Sequence, residues 1–193
     1  MIAQDIHVII FHGTGGSPDG NWFAWLAEEL SKLSCKVSRP KLPTPEGQTL
    51  DNWQNAFKDQ IGKLESNMIL IGHSMGAGFA MRLLEQAVAP ITASFLVAGW
   101  DGLLHSEEFD PLIKSFYQTE FNYQQIQKNM GECYQYHGDD DPYVPLSMAK
   151  DLAVSLAVSL QLIEGAGHIN SESGYKEFPL LLKDLKQLLT RSV

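Results

Sequence analysis

A serine set between two glycines is the residue of this sequence whose surroundings point most directly to chemistry. Ser74 is the central residue of the motif G-H-S-M-G at residues 72–76, which follows an apolar run at residues 68–71. A nucleophile on a sharp strand-to-helix turn has a strained backbone, and only small residues fit two positions before it and two after it. The helix behind such a turn leaves backbone N–H groups free to bind a developing anion. The motif therefore predicts that Ser74 is a nucleophile.

The two other residue types that a serine nucleophile needs follow later in the chain. A serine hydroxyl reacts poorly unless a base takes its proton, and a histidine does this best when a carboxylate fixes its tautomer. His168 lies among glycines in the segment G-A-G-H, and Asp141 is the last of three adjacent aspartates. Pro142 favours an extended backbone at Asp141, which can direct the carboxylate toward the loop of His168. We therefore predict acyl transfer with Ser74 as nucleophile, His168 as base and Asp141 as acid.

The other two aspartates of the acidic run have a different predicted role. Asp139 falls in the tightest part of the turn that begins at Gly138, and we expect it to cap that turn. We expect Asp140 to be a solvated turn residue. The choice of Asp141 as the acid depends on this distinction.

A glycine-rich loop at residues 12–17 follows the first predicted strand. It lacks the glycine spacing of a dinucleotide site and the Gly-Lys-Ser/Thr of a phosphate-binding loop. Glycines also let backbone N–H groups face a substrate, and we predict an oxyanion hole made by the backbone N–H groups of Thr14 and Met75. His12 and His73 lie next to these residues, and we predict that they have positioning roles at the substrate pocket.

The segment at residues 100–130 is predicted to lie near the serine, because it leaves the strand next to the one that carries the motif. It is rich in aromatic and leucine side chains with polar residues between them. We expect its first half to border the substrate pocket through Trp100 and Leu103. For residues 116–130, a helix that only closes one face of the sheet is a second interpretation.

Short apolar and β-branched runs alternate with amphipathic stretches along the chain. The runs predict strands at residues 6–11, 35–39, 68–71, 91–98, 132–137 and 159–163, and the stretches predict helices at residues 21–33, 50–64, 75–88, 146–157 and 175–189. This alternation predicts an α/β fold, in which a mainly parallel sheet of about six strands carries helices on both faces. We expect a single domain over residues 1–193. Ligands of such sheets bind beyond the carboxyl ends of the strands, where the predicted site residues lie.

Composition and charge narrow the class of partner. The formal net charge is −9, and no cluster of Lys and Arg is present, which argues against nucleic acid or an anionic membrane and favours a small neutral or cationic substrate. The N-terminus has neither the pattern of a signal peptide nor that of a membrane span, so we expect a cytoplasmic protein. No spacing of His, Cys and Asp matches a pair of metal ligands on one element, and we expect neither a metal nor a cofactor.

Four segments of the chain together resemble one family. They are the opening loop and helix HGTGGSPDGNWFAWL, the motif GHSMGAG, the segment FNYQQIQKNMGECYQYHGDDDPYVP that leads to the acid, and the histidine segment GAGHINSESGYKEFP. These are similar to segments of the small serine hydrolases of the α/β-hydrolase superfamily, which are typified by bacterial YdeN and mammalian retinoblastoma-binding protein nine. One departure is F-N-Y at residues 121–123, where a tryptophan is expected in such relatives.

The resemblance implies the three-layer α/β-hydrolase fold. Because the first predicted strand begins at residue 6, we expect a compact version without the two leading strands of larger relatives. The resemblance also implies that Ser74 is the nucleophile, Asp141 the acid and His168 the base, which agrees with the roles inferred from the residue types and their spacing. The expected activity is hydrolysis of an acyl bond through an acyl-serine, with a carboxylic ester as the substrate. An amide or a thioester would use the same residues. A binding protein that kept the fold without turnover is an alternative, because the family is associated with a partner protein.

Overall fold

The structure, a computed structural model, describes residues 5–191 and contains a six-stranded sheet. The strands are β1 (His7–Phe11), β2 (Lys36–Ser38), β3 (Met68–His73), β4 (Ala93–Val97), β5 (Glu132–Gly138) and β6 (Leu160–Ile163). Their order across the sheet is β2-β1-β3-β4-β5-β6, and every neighbouring pair is parallel. The predicted α/β fold with about six mainly parallel strands is confirmed.

Helices cover both faces of the sheet. Within residues 5–191 they are α1 (Phe23–Ser31), α2 (Leu50–Gln60), α3 (Met75–Gln86), α4 (Asp110–Ile113), α5 (Tyr123–Asn129), α6 (Leu146–Leu156) and α7 (Pro179–Arg191), with a 3₁₀ turn at Lys114–Phe116. Helices α1 and α7 pack on one face around buried side chains such as Leu26 and Leu185, whereas α2 to α6 pack on the other face around Trp53 and Phe79. No helix in this part of the chain is long and apolar enough to cross a membrane.

All five predicted helices are present, and each begins or ends one to four residues away from the predicted position. Helix α1 begins at Phe23, and the side chain of Asn21 instead accepts a backbone N–H of the loop after β6 at 3.0 Å. Helix α2 ends at Gln60, shortly before Gly62, whose φ of 103° lies outside the helical region. Helix α7 begins at Pro179, four residues later than predicted, because proline favours the first helical position and disfavours helical backbone before it.

The register of the sheet brings the carboxyl ends of its strands to one edge. Phe11 of β1 pairs with Gly72 of β3, and Gly138 of β5 pairs with Ile163 of β6. The segments that follow these strands therefore meet at this edge. They are the glycine-rich loop, the serine turn, the segment after β4, the three aspartates and the histidine loop.

Two glycines allow α3 to leave β3 and to pass close to β1. A Cβ atom on Gly72 would lie 2.4 Å from the carbonyl oxygen of Gly76, and a Cβ atom on Gly76 would lie 2.5 Å from the carbonyl oxygen of Phe11. These are backbone atoms of packed elements, so they cannot move away at little cost. The small residues around the serine turn are therefore a steric requirement of this fold.

We predict that Gly76→Ala destabilises the protein, because the added methyl group would press against the backbone of β1. Overpacking of this kind typically costs about 1–3 kcal/mol of unfolding free energy. Urea unfolding followed by circular dichroism measures the loss. Gly102→Ala is the matched control, since the nearest atom to its Cβ would be the end of the Met148 side chain at 3.7 Å. Equal unfolding free energies of the two variants would contradict the steric requirement.

Candidate active site

Ser74 lies on a strained turn between β3 and α3. Its φ of 58° and ψ of −127° fall outside the regions that residues other than glycine normally occupy, and such a conformation costs about 1–3 kcal/mol. Its backbone N–H donates to the carbonyl oxygen of Val97 at 2.8 Å, which ties the turn to β4. The Ser74 side chain makes no capping hydrogen bond to α3. The hydroxyl group is therefore not engaged in capping the helix.

The glycine-rich loop after β1 runs directly against Ser74. A Cβ atom on Gly13 would lie 2.7 Å from Ser74 Cβ and 3.1 Å from Ser74 Oγ, so a side chain here would displace the serine. Thr14 follows Gly13 and lines a cavity beside the serine. Met75 is the buried first residue of α3, and N–H groups of a first helical turn have no partner within the helix. Both predicted oxyanion residues thus lie next to the serine turn.

Asp141 and His168 are joined by a short hydrogen bond at the same edge of the sheet. His168 Nδ1 lies 2.7 Å from Asp141 Oδ2, and the histidine and aspartate side chains are only 8% and 1% exposed. Asp141 Oδ1 accepts the backbone N–H groups of Tyr143 at 2.9 Å and Val144 at 3.0 Å. Because Nδ1–H donates to the carboxylate, Nε2 of His168 is left as the nitrogen that can accept a proton.

The charge of Asp141 follows from these contacts. Burial acts to raise the pKa of its carboxyl group, but the hydrogen bond and charge of His168 act in the opposite direction, as do the N–H groups of Val144 and Tyr143. The net result is a pKa below the ordinary value for aspartate. Asp141 is therefore ionised at neutral pH and can fix the orientation of the imidazole ring.

The other two aspartates of the acidic run hold the loop of His168. Asp139 Oδ1 accepts the backbone N–H of Gly165 at 2.8 Å, and Asp140 Oδ1 accepts that of Gly167 at 2.7 Å. The sequence predicts only a turn cap and a solvated residue here. It misses these bonds because the partners follow 26 and 27 residues later in the chain.

His73 positions the histidine loop as a neutral donor. Its Nε2–H donates to the backbone carbonyl oxygen of His168 at 2.9 Å. Burial, and after it the nearby His168, lowers the pKa of His73 to about 3, so the ring carries no charge at neutral pH. The ring also makes an edge-to-face contact with buried Trp22, with ring centroids 6.1 Å apart. The hydrogen bond to His168 and the contact with Trp22 together fix the orientation of the His73 ring.

His137 is a buried residue of β5 to which the sequence assigns no role. Its Nε2–H donates to the carbonyl oxygen of Val144 at 3.0 Å and lies 3.7 Å from Asp141 Oδ2. Burial lowers the pKa of His137, and the charge of Asp141 partly opposes this effect. His137 therefore holds the turn that carries Asp141. The only signal in the sequence is its position directly before Gly138.

Ser74 and His168 line the same cavity, which has a volume of about 510 Å³. Apolar side chains of the segment after β4 contribute to the lining: Trp100, Leu104, Phe109 and Ile113. Residues of the loops after β5 and β6 contribute a polar part: Tyr143, Asn170, Ser171 and Glu172. A cavity of this size fits a small molecule. Within residues 5–191, no group of three or more His, Cys, Asp and Glu side chains is arranged to hold a metal ion.

Of the four residues predicted to belong to the substrate pocket, two line this cavity and two do not. His73 and Trp100 line it. The ring nitrogens of His12 are instead bonded to backbone groups of two loops, at 2.9 and 3.1 Å, so this residue supports the glycine-rich loop. Leu103 is 38% exposed and is not part of the lining, whereas its neighbour Leu104 is.

The second half of the segment at residues 100–130 packs on α3. The guanidinium group of buried Arg82 donates to the carbonyl oxygens of Phe116, at 2.7 Å, and of Thr119. It also lies 3.7 Å from the ring centroid of Phe121. Residues 116–130 therefore close one face of the sheet, whereas the first half of the segment reaches the cavity.

Comparison with known protein sequences agrees with the predicted resemblance. A family described as serine hydrolase matches residues 8–187 of the chain. The serine hydrolase RBBP9 of Rattus norvegicus is 23% identical over 192 residues, which cover 98% of this chain and 98% of that protein.

Comparison with solved structures agrees as well. The ydeN gene product of B. subtilis is similar with a TM-score of 0.87 and 26% identity, over 95% of this chain and 98% of the other. Est1E from Butyrivibrio proteoclasticus with bound ferulic acid is similar with a TM-score of 0.74 and 17% identity, over 97% and 89%. The resemblance and the compact α/β-hydrolase fold that it implies are confirmed.

We predict that His73→Gln flattens the acid side of the pH–stability profile. Because the pKa of His73 is about 3 in the folded protein, the unfolded chain takes up the proton first as the pH drops below about 6.5. His73 therefore lowers stability as the pH falls from about 6.5 to about 3, by about 1.4 kcal/mol per pH unit. Urea unfolding at a series of pH values should show a smaller slope for the variant, whose amide can still donate to His168.

The exposed His105 provides the control for this measurement. His105→Gln removes a histidine outside the cavity, and its unfolding free energy should change with pH as steeply as that of the wild type. Identical profiles for the wild type and His73→Gln would contradict the assignment of His73 as a buried, neutral donor.

Proposed function

The chain belongs to the serine hydrolase family, and we propose that it hydrolyses carboxylic esters of small molecules through an acyl-serine intermediate. In this proposal Ser74 is the nucleophile, His168 transfers protons and Asp141 orients His168. The observation that carries it is the arrangement around one cavity. Ser74 and His168 both line that cavity, while the other ring nitrogen of His168 is bonded to the buried carboxylate of Asp141.

The first half of the reaction forms the acyl-serine. His168 Nε2 takes the proton of the Ser74 hydroxyl as Oγ attacks the carbonyl carbon of the ester. The imidazolium that forms is stabilised by Asp141, whose low pKa keeps its carboxylate charged. His168 then gives the proton to the departing alkoxide, and the C–O bond of the ester breaks. The alcohol leaves, and the acyl group stays on Ser74.

The negative charge on the carbonyl oxygen needs donors that are already in place. The backbone N–H groups of Met75 and Thr14 supply them in this proposal, because one residue follows Ser74 at the start of α3 and the other follows the glycine packed against Ser74. Removing a single donor of this kind from a serine hydrolase costs about 10²–10³-fold in turnover. The close approach of Gly13 to Ser74 is therefore part of the catalytic arrangement.

The second half of the reaction regenerates the serine. His168 takes a proton from a water molecule, which attacks the acyl carbon, and then returns the proton to Ser74 Oγ as the carboxylic acid leaves. The exposed loops around the cavity admit water to the site. The apolar lining formed by Trp100, Leu104 and Phe109 favours an ester whose acyl or alcohol part is uncharged and apolar.

Hydrolysis of short-chain chromogenic esters tests the proposal, with Ser74→Ala as the inactive reference. Asp141→Asn should lower turnover about 10⁴-fold, because asparagine stabilises the wrong tautomer of His168. Asp140→Asn is the matched control: its side-chain oxygen can still accept the N–H of Gly167, and we expect a loss below about tenfold.

Two outcomes would overturn the assignments. Turnover at the wild-type rate by folded Ser74→Ala would exclude Ser74 as the nucleophile. A severe loss in Asp140→Asn together with a mild loss in Asp141→Asn would move the acid by one residue.

A further inference from the structure

The loop that carries Thr14 has little stiffness of its own. Three of its residues are glycines, and Gly15 has a φ of 67° with no atom within 4 Å of where a Cβ would lie. Gly15 and Gly16 are exposed, and a turn bond from the N–H of Gly16 to the carbonyl oxygen of Gly13 at 3.1 Å lies within the loop itself. Glycine-rich backbone is conformationally permissive, so a fixed position for Thr14 requires contacts from outside the loop.

A second loop, at residues 42–48, supplies such contacts through a closed ring of hydrogen bonds. The N–H of Gly15 donates to Thr44 Oγ1 at 2.7 Å, and the Thr44 hydroxyl donates to Gln48 Oε1 at 2.5 Å. Gln48 Nε2 then donates to Thr14 Oγ1 at 2.8 Å. The peptide bond between Thr14 and Gly15 closes the ring, which joins these two residues of the glycine-rich loop to the side chains of Thr44 and Gln48.

Gln48 is the member of this ring that links both threonines. It is only 5% exposed, and both ends of its amide are used within the ring. It does not line the cavity, so it does not reach a substrate there. On the other side of the loop, the ring of His12 accepts the N–H of Leu42 at 3.1 Å, so the two loops are joined at two separate points.

We propose that Gln48 is a positioning residue for the oxyanion hole, which it serves by fixing the backbone N–H of Thr14 relative to Ser74. This inference rests on the proposed function, in which Thr14 supplies one of the oxyanion donors. Small displacements matter in such a site, since a misplacement of about 1 Å can cost about 10²-fold in rate. Gln48 acts through Thr14 and touches neither the substrate nor the reacting atoms.

Gln48→Met tests this role, because methionine keeps the length and volume of the side chain but loses the ring of hydrogen bonds. We expect kcat on a neutral ester to fall about tenfold while KM changes less than about twofold, because the oxyanion forms only in the transition state. Gln48→Glu should recover most of the loss, since a carboxylate can accept from the Thr44 hydroxyl as the amide oxygen does, and from the Thr14 hydroxyl once that group rotates to donate.

A thionoester of the same acid separates positioning from a general loss of structure. Sulfur is a weak hydrogen-bond acceptor, so a thionoester gains less from oxyanion donors than the oxygen ester does. In Gln48→Met the ratio of ester to thionoester turnover should fall by about the same factor as kcat. An unchanged kcat in the folded variant, or a lower kcat with an unchanged ratio, would overturn the proposal.

Amide hydrogen exchange at Gly15, whose N–H is bonded into the ring through Thr44, tests the positioning without any turnover. We expect this amide to exchange at least about tenfold faster in Gln48→Met than in the wild type. Unchanged exchange would overturn the inference even if the protein is an active esterase. Faster exchange in the variant of a protein that hydrolyses no ester would support the positioning and contradict only the proposed function.

Asn52→Ala is the matched control for these measurements. Asn52 Nδ2 donates to the carbonyl oxygen of Gly47 at 2.8 Å, so the substitution removes one bond from the same loop without touching Thr14 or Gly15. The turnover ratio and the exchange of the Gly15 amide should stay at their wild-type values. Changes equal to those in Gln48→Met would mean that any weakening of this loop has the same effect, which would overturn the specific role of Gln48.

Discussion

The strained backbone of Ser74 is the feature on which the rest of the structure depends. A residue with a side chain is held at a φ of 58° where a buried strand turns into a buried helix, and its N–H is bonded to β4. The strain persists because the surrounding elements are packed too closely to relax. Gly72 and Gly76 leave no room for a Cβ atom, and Gly13 touches the serine from the other side. The hydroxyl is thereby presented to a cavity instead of capping its own helix.

The parallel sheet explains how Asp141 and His168 come to lie at the same end of the sheet as Ser74, although they are distant from it in the chain. Segments after β1, β3, β5 and β6 meet at one edge. Hydrogen bonds between these loops fix their relative positions, which the flexible loop backbone does not do on its own. Asp139 and Asp140 hold the histidine loop by its backbone, and His137 holds the turn of Asp141. The charge of Asp141 is then stabilised by donors that are already in place.

The sequence predicts features that arise from local pattern, and it misses those that arise from contacts between distant segments. Periodicity and the glycine spacing around Ser74 predict the strands, most helix positions and the strand-to-helix turn. The sequence does not show that Leu104 lines the cavity while Leu103 does not, because that depends on how an irregular segment packs. The orientation of His12 and the ring of bonds around Gln48 are likewise decided by a loop about 30 residues away.

The most direct measurement of the central claim, that Ser74 is an activated nucleophile, is covalent labelling of the native protein with a fluorophosphonate. Such a probe reacts with a serine hydroxyl that a neighbouring base has activated. Digestion and tandem mass spectrometry then locate the adduct. We predict an adduct on Ser74 in the native protein, strongly reduced in His168→Gln and absent after denaturation in urea. An unlabelled native protein, or an adduct on a different residue, would contradict the claim.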